Sequence, residues 1–256
     1  MSKLITFDKS VIFDYYQSGM NCKQIAKLLN INPSTCERYL KSRGVTLNKY
    51  KNRRTTNKNL DEHYFDSIDS IEKAYILGFI AADGNVNKPK NENSSMRLTI
   101  EINEDDIEVL EKFNINNTIS RNKKKKSVYM CVCSDNVCNK LISYGIVQRK
   151  SLILKFTPNL REDLVSHYIR GYFDGDGCIS INNEKYNRIT MIGTFDFLTE
   201  LANKINIPVY INPIKNVFEL RIDKQEFVKK FYDYIYYNHN GYYLQRKYDK
   251  FITESF

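Results

Sequence analysis

The feature that most constrains the fold is a pattern that occurs twice in the 256 residues. Residues 75–84 are YILGFIAADG and residues 168–177 are YIRGYFDGDG. Each copy is an apolar, helix-like run that ends in Asp-Gly, a common turn signal. One copy would indicate only where a helix stops. Two copies at matched positions indicate two similar halves, each of which contributes one carboxylate to a shared site.

The sequence around the two copies also repeats. Apolar patterns of period 2 and period 3.6 alternate and predict one α-β-β-α-β-β-α unit in each half. The tripeptide Gln-Arg-Lys recurs late in both units, at 148–150 and 245–247, each time shortly after a glycine. This agreement in order and spacing supports a duplication. We therefore predict an α+β fold with pseudo-symmetric units at 67–157 and 158–256.

Small residues in the two helices, including Gly78 and Gly171, would let the helices approach closely. The aspartates at their ends would then meet, where each lies in the negative end of a helix dipole and repels the other. A divalent cation resolves this repulsion, and hard oxygen ligands suit Mg²⁺. We expect Asp83 and Asp176 to bind two or more divalent ions that hydrolyse a phosphodiester bond, with Lys150 and Lys247 stabilising the developing negative charge.

The segment at 1–46 predicts a small all-α domain. Helical spacing indicates helices at 8–18 and from about 22, and Asn32 followed by Pro33 predicts the start of a third helix at 34–41. This spacing is similar to a helix-turn-helix, whose last helix enters the major groove of DNA. An ordinary three-helix bundle is the alternative. On the first interpretation the residues that face DNA are Ser34, Thr35, Glu37 and Arg38, and the buried ones are Cys36, Tyr39 and Leu40.

A formal net charge of +9 favours a polyanionic partner. A Lys-rich and Asn-rich composition inherited from an AT-rich genome would produce the same excess without any ligand, so the positions of the charges must decide. Residues 41–59 contain seven basic residues and no acidic one. We therefore predict a basic linker at 47–66 that lies along phosphates and includes Arg53 and Arg54.

The six cysteines do not form a paired framework, although Cys131, Cys133 and Cys138 share one stretch. A zinc site there would need a fourth ligand and a more usual spacing, so buried thiols in a reducing compartment are the preferred interpretation. No apolar run reaches the roughly 18 residues of a membrane span, and the first residues lack the apolar core of a signal peptide. These features predict an intracellular protein without a membrane partner.

The two copies at 76–84 and 169–177 resemble the paired signature of the LAGLIDADG homing endonucleases, and residues 150–156 and 246–251 are also similar to this family. The resemblance covers about residues 60–256. It implies a single-chain, monomeric enzyme of mobile introns whose halves form a DNA-binding saddle of β-strands. It implies metal binding by Asp83 and Asp176, with the carbonyls of Ala82 and Gly175 as further ligands. It also implies a cut in both strands across the minor groove that leaves short 3′ overhangs.

The first copy departs from the family pattern at Ala81, where the second copy has Asp174. We therefore expect Asp174 to be structural. Alternating exposed strand positions on the saddle are the expected DNA contacts, although a register error of one residue would turn each to the other face. They are Arg97, Thr99 and Glu101 in the first half and Arg188, Thr190, Lys215 and Arg221 in the second. A hairpin run is expected to contact phosphate; it comprises Lys123, Lys124, Lys125 and Lys126.

These inferences lead to a site-specific, magnesium-dependent endonuclease for double-stranded DNA, with a helix-turn-helix that extends the recognised site. A non-catalytic DNA-binding regulator of the same fold is one alternative, but such proteins typically lose the acids, and Asp83 and Asp176 are both present. An intron RNA maturase, with intron RNA as its partner, is the other. The sequence does not separate maturase activity from DNA cleavage.

Overall fold

The computed structural model describes residues 10–18, 20, 22–45, 60–88, 94–115, 118–182 and 186–254. The chain divides into two compact units, Met1–Asn52 and Arg53–Phe256. Within the described ranges, no helix combines the length and the apolar character needed to cross a membrane.

Within its described residues, the first unit contains three helices, α1 (Ser10–Gln17), α2 (Cys22–Leu29) and α3 (Pro33–Ser42). As predicted, Asn32 caps α3, because its Oδ1 accepts a hydrogen bond from the Ser34 backbone N–H at 3.0 Å. The core of this unit comprises Ile12, Ile25, Ala26, Cys36 and Leu40. The prediction that Tyr39 is buried is wrong in degree: the ring is half-buried, at an edge where the Arg43 guanidinium lies 5.5 Å from its centroid.

The second unit contains the two predicted α-β-β-α-β-β-α halves. The first half comprises α4 (Ile71–Asp83), β1 (Gly84–Asn87), β2 (Arg97–Asn103), α5 (Ile107–Glu111), β3 (Ile119–Asn122), β4 (Ser127–Cys133) and α6 (Asp135–Ser143). The second half comprises α7 (Val165–Asp176), β5 (Gly177–Asn182), β6 (Tyr186–Gly193), α8 (Phe195–Ile205), β7 (Tyr210–Ile214), β8 (Val217–Ile222) and α9 (Gln225–Tyr236). A further helix that the sequence analysis did not predict, α10 (Gln245–Glu254), follows.

Each half contains one antiparallel four-stranded sheet, in the order β1-β2-β4-β3 or β5-β6-β8-β7. One face of each sheet packs against helices. On β2 this face carries Leu98, Ile100 and Ile102, which are buried, while Arg97 and Glu101 are exposed on the opposite face. The buried residues of both halves belong to one continuous hydrophobic cluster. The fold class predicted from the sequence is therefore confirmed, and one face of each sheet stays open.

Candidate functional site

Asp83 and Asp176 are the last residues of α4 and α7. The glycine after each one has an extended backbone and begins a strand, so each helix passes directly into β1 or β5. Gly175 allows the two helix ends to lie side by side. A Cβ at Gly175 would overlap the Ala82 side chain and would lie 3.1 Å from Asp83 Oδ2. The structure thus places the Asp83 carboxylate against the C-terminal end of α7.

The two carboxyl groups form a locally unfavourable electrostatic site. Burial raises the pKa of Asp83 to about 6, and the neighbouring Asp176 carboxylate also acts to raise it. Asp176 is the more exposed of the two, yet desolvation also raises the pKa of its carboxyl group. Keeping both groups ionised at neutral pH therefore costs free energy in the folded protein. This is the electrostatic situation that favours a bound cation.

Lys150 and Lys247 cap the C-terminal ends of α4 and α7, respectively. Lys150 Nζ donates to the Ala82 carbonyl at 2.7 Å and to the Gly84 carbonyl at 2.6 Å. Lys247 Nζ donates to the Phe173 carbonyl at 2.8 Å and to the Asp174 carbonyl at 2.7 Å, with the Gly175 carbonyl 3.4 Å away. Carbonyls at helix ends have no partner within the helix, and positive charge is favourable there. Each half of the chain thus contributes one aspartate and one lysine to the site.

At each site aspartate, the lysine of the other half has the larger influence on the pKa. Lys247 interacts still more strongly with Asp174 of its own half. Lys247 is the larger influence that lowers the pKa of Asp83, ahead of Lys150. For Asp176 the order is reversed, and Lys150 comes first. Each lysine thus donates its hydrogen bonds to backbone carbonyls of its own half, while its charge also reaches the aspartate of the other half, because the helix ends lie next to each other.

The ligand set fits magnesium better than zinc. Within the described parts of the chain, no group of three or more His, Cys, Asp or Glu side chains could hold a metal ion. The available donors are the carboxylates of Asp83 and Asp176 and the carbonyls of Ala82 and Gly175. Since Mg²⁺ keeps several waters and typically takes one or two protein carboxylates, this set is sufficient for it. The Ala82 carbonyl retains one lone pair beside its bond from Lys150.

The prediction of buried thiols in the stretch from Cys131 to Cys138 is correct for Cys138 and wrong for Cys131 and Cys133. Cys36 and Cys138 are buried, Cys22, Cys131 and Cys133 are half-buried, and Cys178 is exposed. Cys131 and Cys133 lie on the open face of the first sheet, because their neighbours Met130 and Val132 take the buried positions of β4. Their sulfur atoms are 3.9 Å apart.

Asp174 is part of the interface between the halves. It is only 2% exposed, and its Oδ2 accepts hydrogen bonds from the Tyr75 hydroxyl at 2.9 Å and from the Leu244 N–H at 2.8 Å. The matching position in the first copy is Ala81, so the Tyr168 hydroxyl has no carboxylate to donate to. The structure therefore places Asp174 away from the Asp83–Asp176 pair, in an interior position that suits a structural residue.

An ion pair that the sequence patterns do not predict anchors the segment around Lys247. Arg246 Nε and Nη2 contact Asp106 Oδ1 and Oδ2 at 2.6 and 2.8 Å, which joins α10 to the first half. The only sequence signal was the repeated Gln-Arg-Lys. That signal is misleading about local structure, because Arg149 in the first copy has a φ of 58° and precedes a short 3₁₀ turn at Lys150–Leu152.

The predicted DNA contacts lie on the open sheet faces and on α3. Arg97 and Glu101 are exposed on β2 with Thr99 half-buried between them, and Arg188 and Thr190 on β6 and Arg221 on β8 are partly exposed. Lys123, Lys124, Lys125 and Lys126 form the exposed β3–β4 turn, and Lys215 lies in the β7–β8 turn. On α3, Ser34, Glu37 and Arg38 are exposed and Thr35 is half-buried. Arg53 and Arg54 lie outside the described residues.

Glu101 is already engaged in the first sheet. Its Oε1 accepts a hydrogen bond from the Ser127 hydroxyl at 2.7 Å and lies 3.6 Å from Lys125 Nζ. This carboxylate therefore helps to hold the lysine-rich turn beside the open face.

The profile of the LAGLIDADG-like domain matches residues 70–155 and 163–236. Among solved structures, the homing endonuclease I-WcaI bound to its DNA recognition sequence is 17% identical with a TM-score of 0.49, covering 78% of this chain and 97% of that chain. The LAGLIDADG meganuclease I-AabMI bound to uncleaved DNA is 15% identical with a TM-score of 0.46, covering 62% and 81%. The N-terminal LAGLIDADG domain of DUF199/WhiA is 16% identical with a TM-score of 0.44, covering 73% and 96%. The comparison with curated proteins finds no match.

Proposed function

The chain belongs to the LAGLIDADG-like domain family, and from that premise we propose that it is a site-specific, divalent-metal-dependent endonuclease for double-stranded DNA. The observation that carries the proposal is the meeting of Asp83 and Asp176 at the ends of α4 and α7, beside Lys150 and Lys247. A binding protein without catalysis has no need to keep two carboxylates that raise each other's energy.

Asp83 and Asp176 would hold Mg²⁺, with the Ala82 and Gly175 carbonyls as further ligands. When bound, such ions activate a water nucleophile and stabilise the leaving 3′-oxygen of the phosphodiester. Lys150 would bind and orient the phosphate. Lys247 is 5% exposed and its Nζ donates to three backbone carbonyls, so it would act through its charge alone. An ammonium group has three donors, and Lys150 uses two of them on backbone carbonyls, which leaves one for a phosphate oxygen. Its positive charge at that position would stabilise negative charge that develops during cleavage.

The open sheet faces supply the surface for duplex DNA, and the net charge of +9 supplies long-range attraction. Because both halves belong to one chain, the site is complete in a monomer. The first unit would extend the recognised sequence through α3 as a helix-turn-helix, with residues 47–66 as a basic linker to the two units at 67–157 and 158–256.

The deciding experiment exposes a library of randomised duplexes to the wild-type protein with and without Mg²⁺, and repeats it with Asp83→Asn and Asp176→Asn. The wild type should cut one sequence in both strands only when the metal is present. Both variants should bind that sequence and leave it intact. Asp233→Asn is the control, since it removes the same charge from an exposed ion pair with Lys229 on α9.

Two other results would identify the alternatives. Tight binding of a defined duplex without cleavage under any divalent metal would identify a DNA-binding regulator. Preference for intron RNA over every duplex would identify a maturase.

The contribution of α3 is tested by Arg38→Ala, which should weaken binding of the full target by about 1–3 kcal/mol if Arg38 contacts a base. Lys27→Ala, on the exposed surface of α2, should have a smaller effect.

A further inference from the structure

The two arginines predicted to contact DNA in the second sheet share one carboxylate. Ile189 of β6 pairs with Ile222 of β8, so Arg188 lies opposite Asp223, the residue that follows β8. Since strand side chains alternate between faces, Arg221 and Asp223 are on the same side, opposite to the buried Ile222. The register therefore brings all three charged side chains to the open face.

Asp223 lies beside the inner nitrogens of both guanidinium groups. Arg188 Nε donates a hydrogen bond to Asp223 Oδ1 at 2.6 Å. Arg221 Nε lies 2.8 Å from Asp223 Oδ2 as an ion pair whose geometry is not that of a hydrogen bond. The Arg221 guanidinium also lies 5.4 Å from the centroid of the Tyr210 ring. The three charged side chains are between 28% and 36% exposed. Among the described residues, no hydrogen-bond partner is found for the outer Nη groups of either arginine.

This arrangement suits base recognition better than phosphate binding. A carboxylate shared by both arginines offsets part of their positive charge and would repel a phosphate. Guanine presents two acceptors, O6 and N7, in the major groove, and an arginine fork with both outer nitrogens available matches them. Fixing the fork before binding reduces the entropy that is lost on forming those bonds.

Among its described residues, the first half has no such arrangement on its sheet. Arg97, its arginine on β2, lies opposite Cys133 in the register and forms no ion pair within the described part of the chain. The Arg188–Asp223–Arg221 cluster is therefore a property of the second half alone, and it predicts a difference between the two half-sites of the target.

We infer that Asp223 is a specificity-determining residue that positions Arg188 and Arg221 to read two guanines in the half-site bound by the second sheet. The inference rests on the proposed function, since it requires that the open face of this sheet binds duplex DNA. Asp223 itself acts through the two arginines and need not touch a base.

The test is selection of bound sequences from a library of randomised duplexes in the absence of divalent metal. The wild type should enrich guanines at two positions of one half-site. Arg188→Lys and Arg221→Lys, which keep the charge, should each lose preference at one of these positions by about 5- to 100-fold, the range expected for one bidentate pair. Asp223→Asn should lose preference at both, with equal or higher affinity for unrelated DNA and a steeper dependence on salt.

Asp233→Asn, which removes the same charge from α9, should keep both preferences. Full retention of both guanine preferences by Asp223→Asn would overturn the inference while leaving the proposed function intact. Equal loss of affinity for all sequences in the two lysine variants would also overturn it, because that is the behaviour of phosphate contacts. If no sequence is enriched by the wild type, site-specific binding fails, and the inference fails with it. Thermal unfolding of each variant identifies any loss of preference that comes from misfolding.

Discussion

Gly78 of α4 lies directly against the backbone of Tyr168 of α7, so closely that a Cβ at Gly78 would overlap the Tyr168 carbonyl oxygen. The duplication repeats this contact, because a Cβ at Gly171 would overlap the Tyr75 carbonyl oxygen. These two contacts set how closely the helices pack. They therefore set how closely Asp83 and Asp176 approach at the helix ends.

Replacing Gly78 or Gly171 by alanine should lower the free energy of unfolding by about 1–3 kcal/mol or more, because backbone atoms on the opposite helix cannot move aside cheaply. Denaturant unfolding of each variant measures the effect. Gly241→Ala is the control: it places a Cβ in open space at a φ of +80°, so it tests backbone strain without a collision. If Gly78→Ala lowers the free energy of unfolding no more than Gly241→Ala does, the close contact between the helices is contradicted.

Asp83→Asn should abolish cleavage and raise stability. Burial and the Asp176 carboxylate raise the pKa of Asp83 to about 6, so ionisation of this group at neutral pH costs more free energy in the folded protein than in the unfolded chain. An isosteric amide removes that penalty, and the free energy of unfolding, measured with a chelator present, should increase by about 1–3 kcal/mol. A decrease would show that the carboxylate is held by favourable contacts instead. Asp233→Asn should lower stability by at most about 0.5 kcal/mol.

Arg246→Ala should destabilise the protein more than Arg161→Ala. Both arginines form a two-pronged ion pair with an aspartate, Asp106 for Arg246 and Asp163 for Arg161. The Asp106 side chain is only 10% exposed, whereas that of Asp163 is 60% exposed. Loss of Arg246 leaves a nearly buried carboxylate without its partner, at an expected cost of about 1–3 kcal/mol. The exposed pair should contribute less than about 1 kcal/mol. Equal effects in chemical denaturation would contradict this distinction.

His167 should make the protein less stable in mild acid. Its burial, together with the Arg170 guanidinium, lowers its pKa from 6.5 to about 4. The Arg170 Nη1 donor, 2.9 Å from His167 Nδ1, requires an unprotonated ring nitrogen, and Asp163 offsets only part of the effect. Between these two pKa values the unfolded chain binds more protons than the folded one, so stability should fall by about 1–3 kcal/mol as the pH decreases from 6.5 to 4.

The variant His167→Gln should show a shallower decline in unfolding free energy over that pH range. His63 provides a contrast of opposite sign, because its hydrogen bond to Asp66 raises its pKa. The stability that His63 contributes should be present below its unfolded pKa and should disappear as the pH rises through its folded pKa. If the unfolding free energies of the wild type and His167→Gln decline in parallel with pH, His167 is not the cause of the loss of stability in mild acid.

The local elements follow from the sequence because their signals are short-range. Asn32 followed by Pro33 predicts the start of α3, which begins at Pro33. The alternation on β2 predicts that Arg97 and Glu101 share a face. The duplicated Asp-Gly predicts that Asp83 and Asp176 end two equivalent helices. In each case the deciding residues are neighbours in the chain.

The partners across the fold were decided only by the tertiary structure. Period and propensity do not show that Arg246 would pair with Asp106 or that Asp223 would lie between Arg188 and Arg221. They also do not show that Lys247 would lower the pKa of Asp83 more than Lys150 does. These contacts join residues far apart in the chain, and their geometry depends on strand register and on how closely α4 and α7 pack. The sequence by itself therefore determined which elements form and which acids end the helices, while long-range packing decided which charges meet.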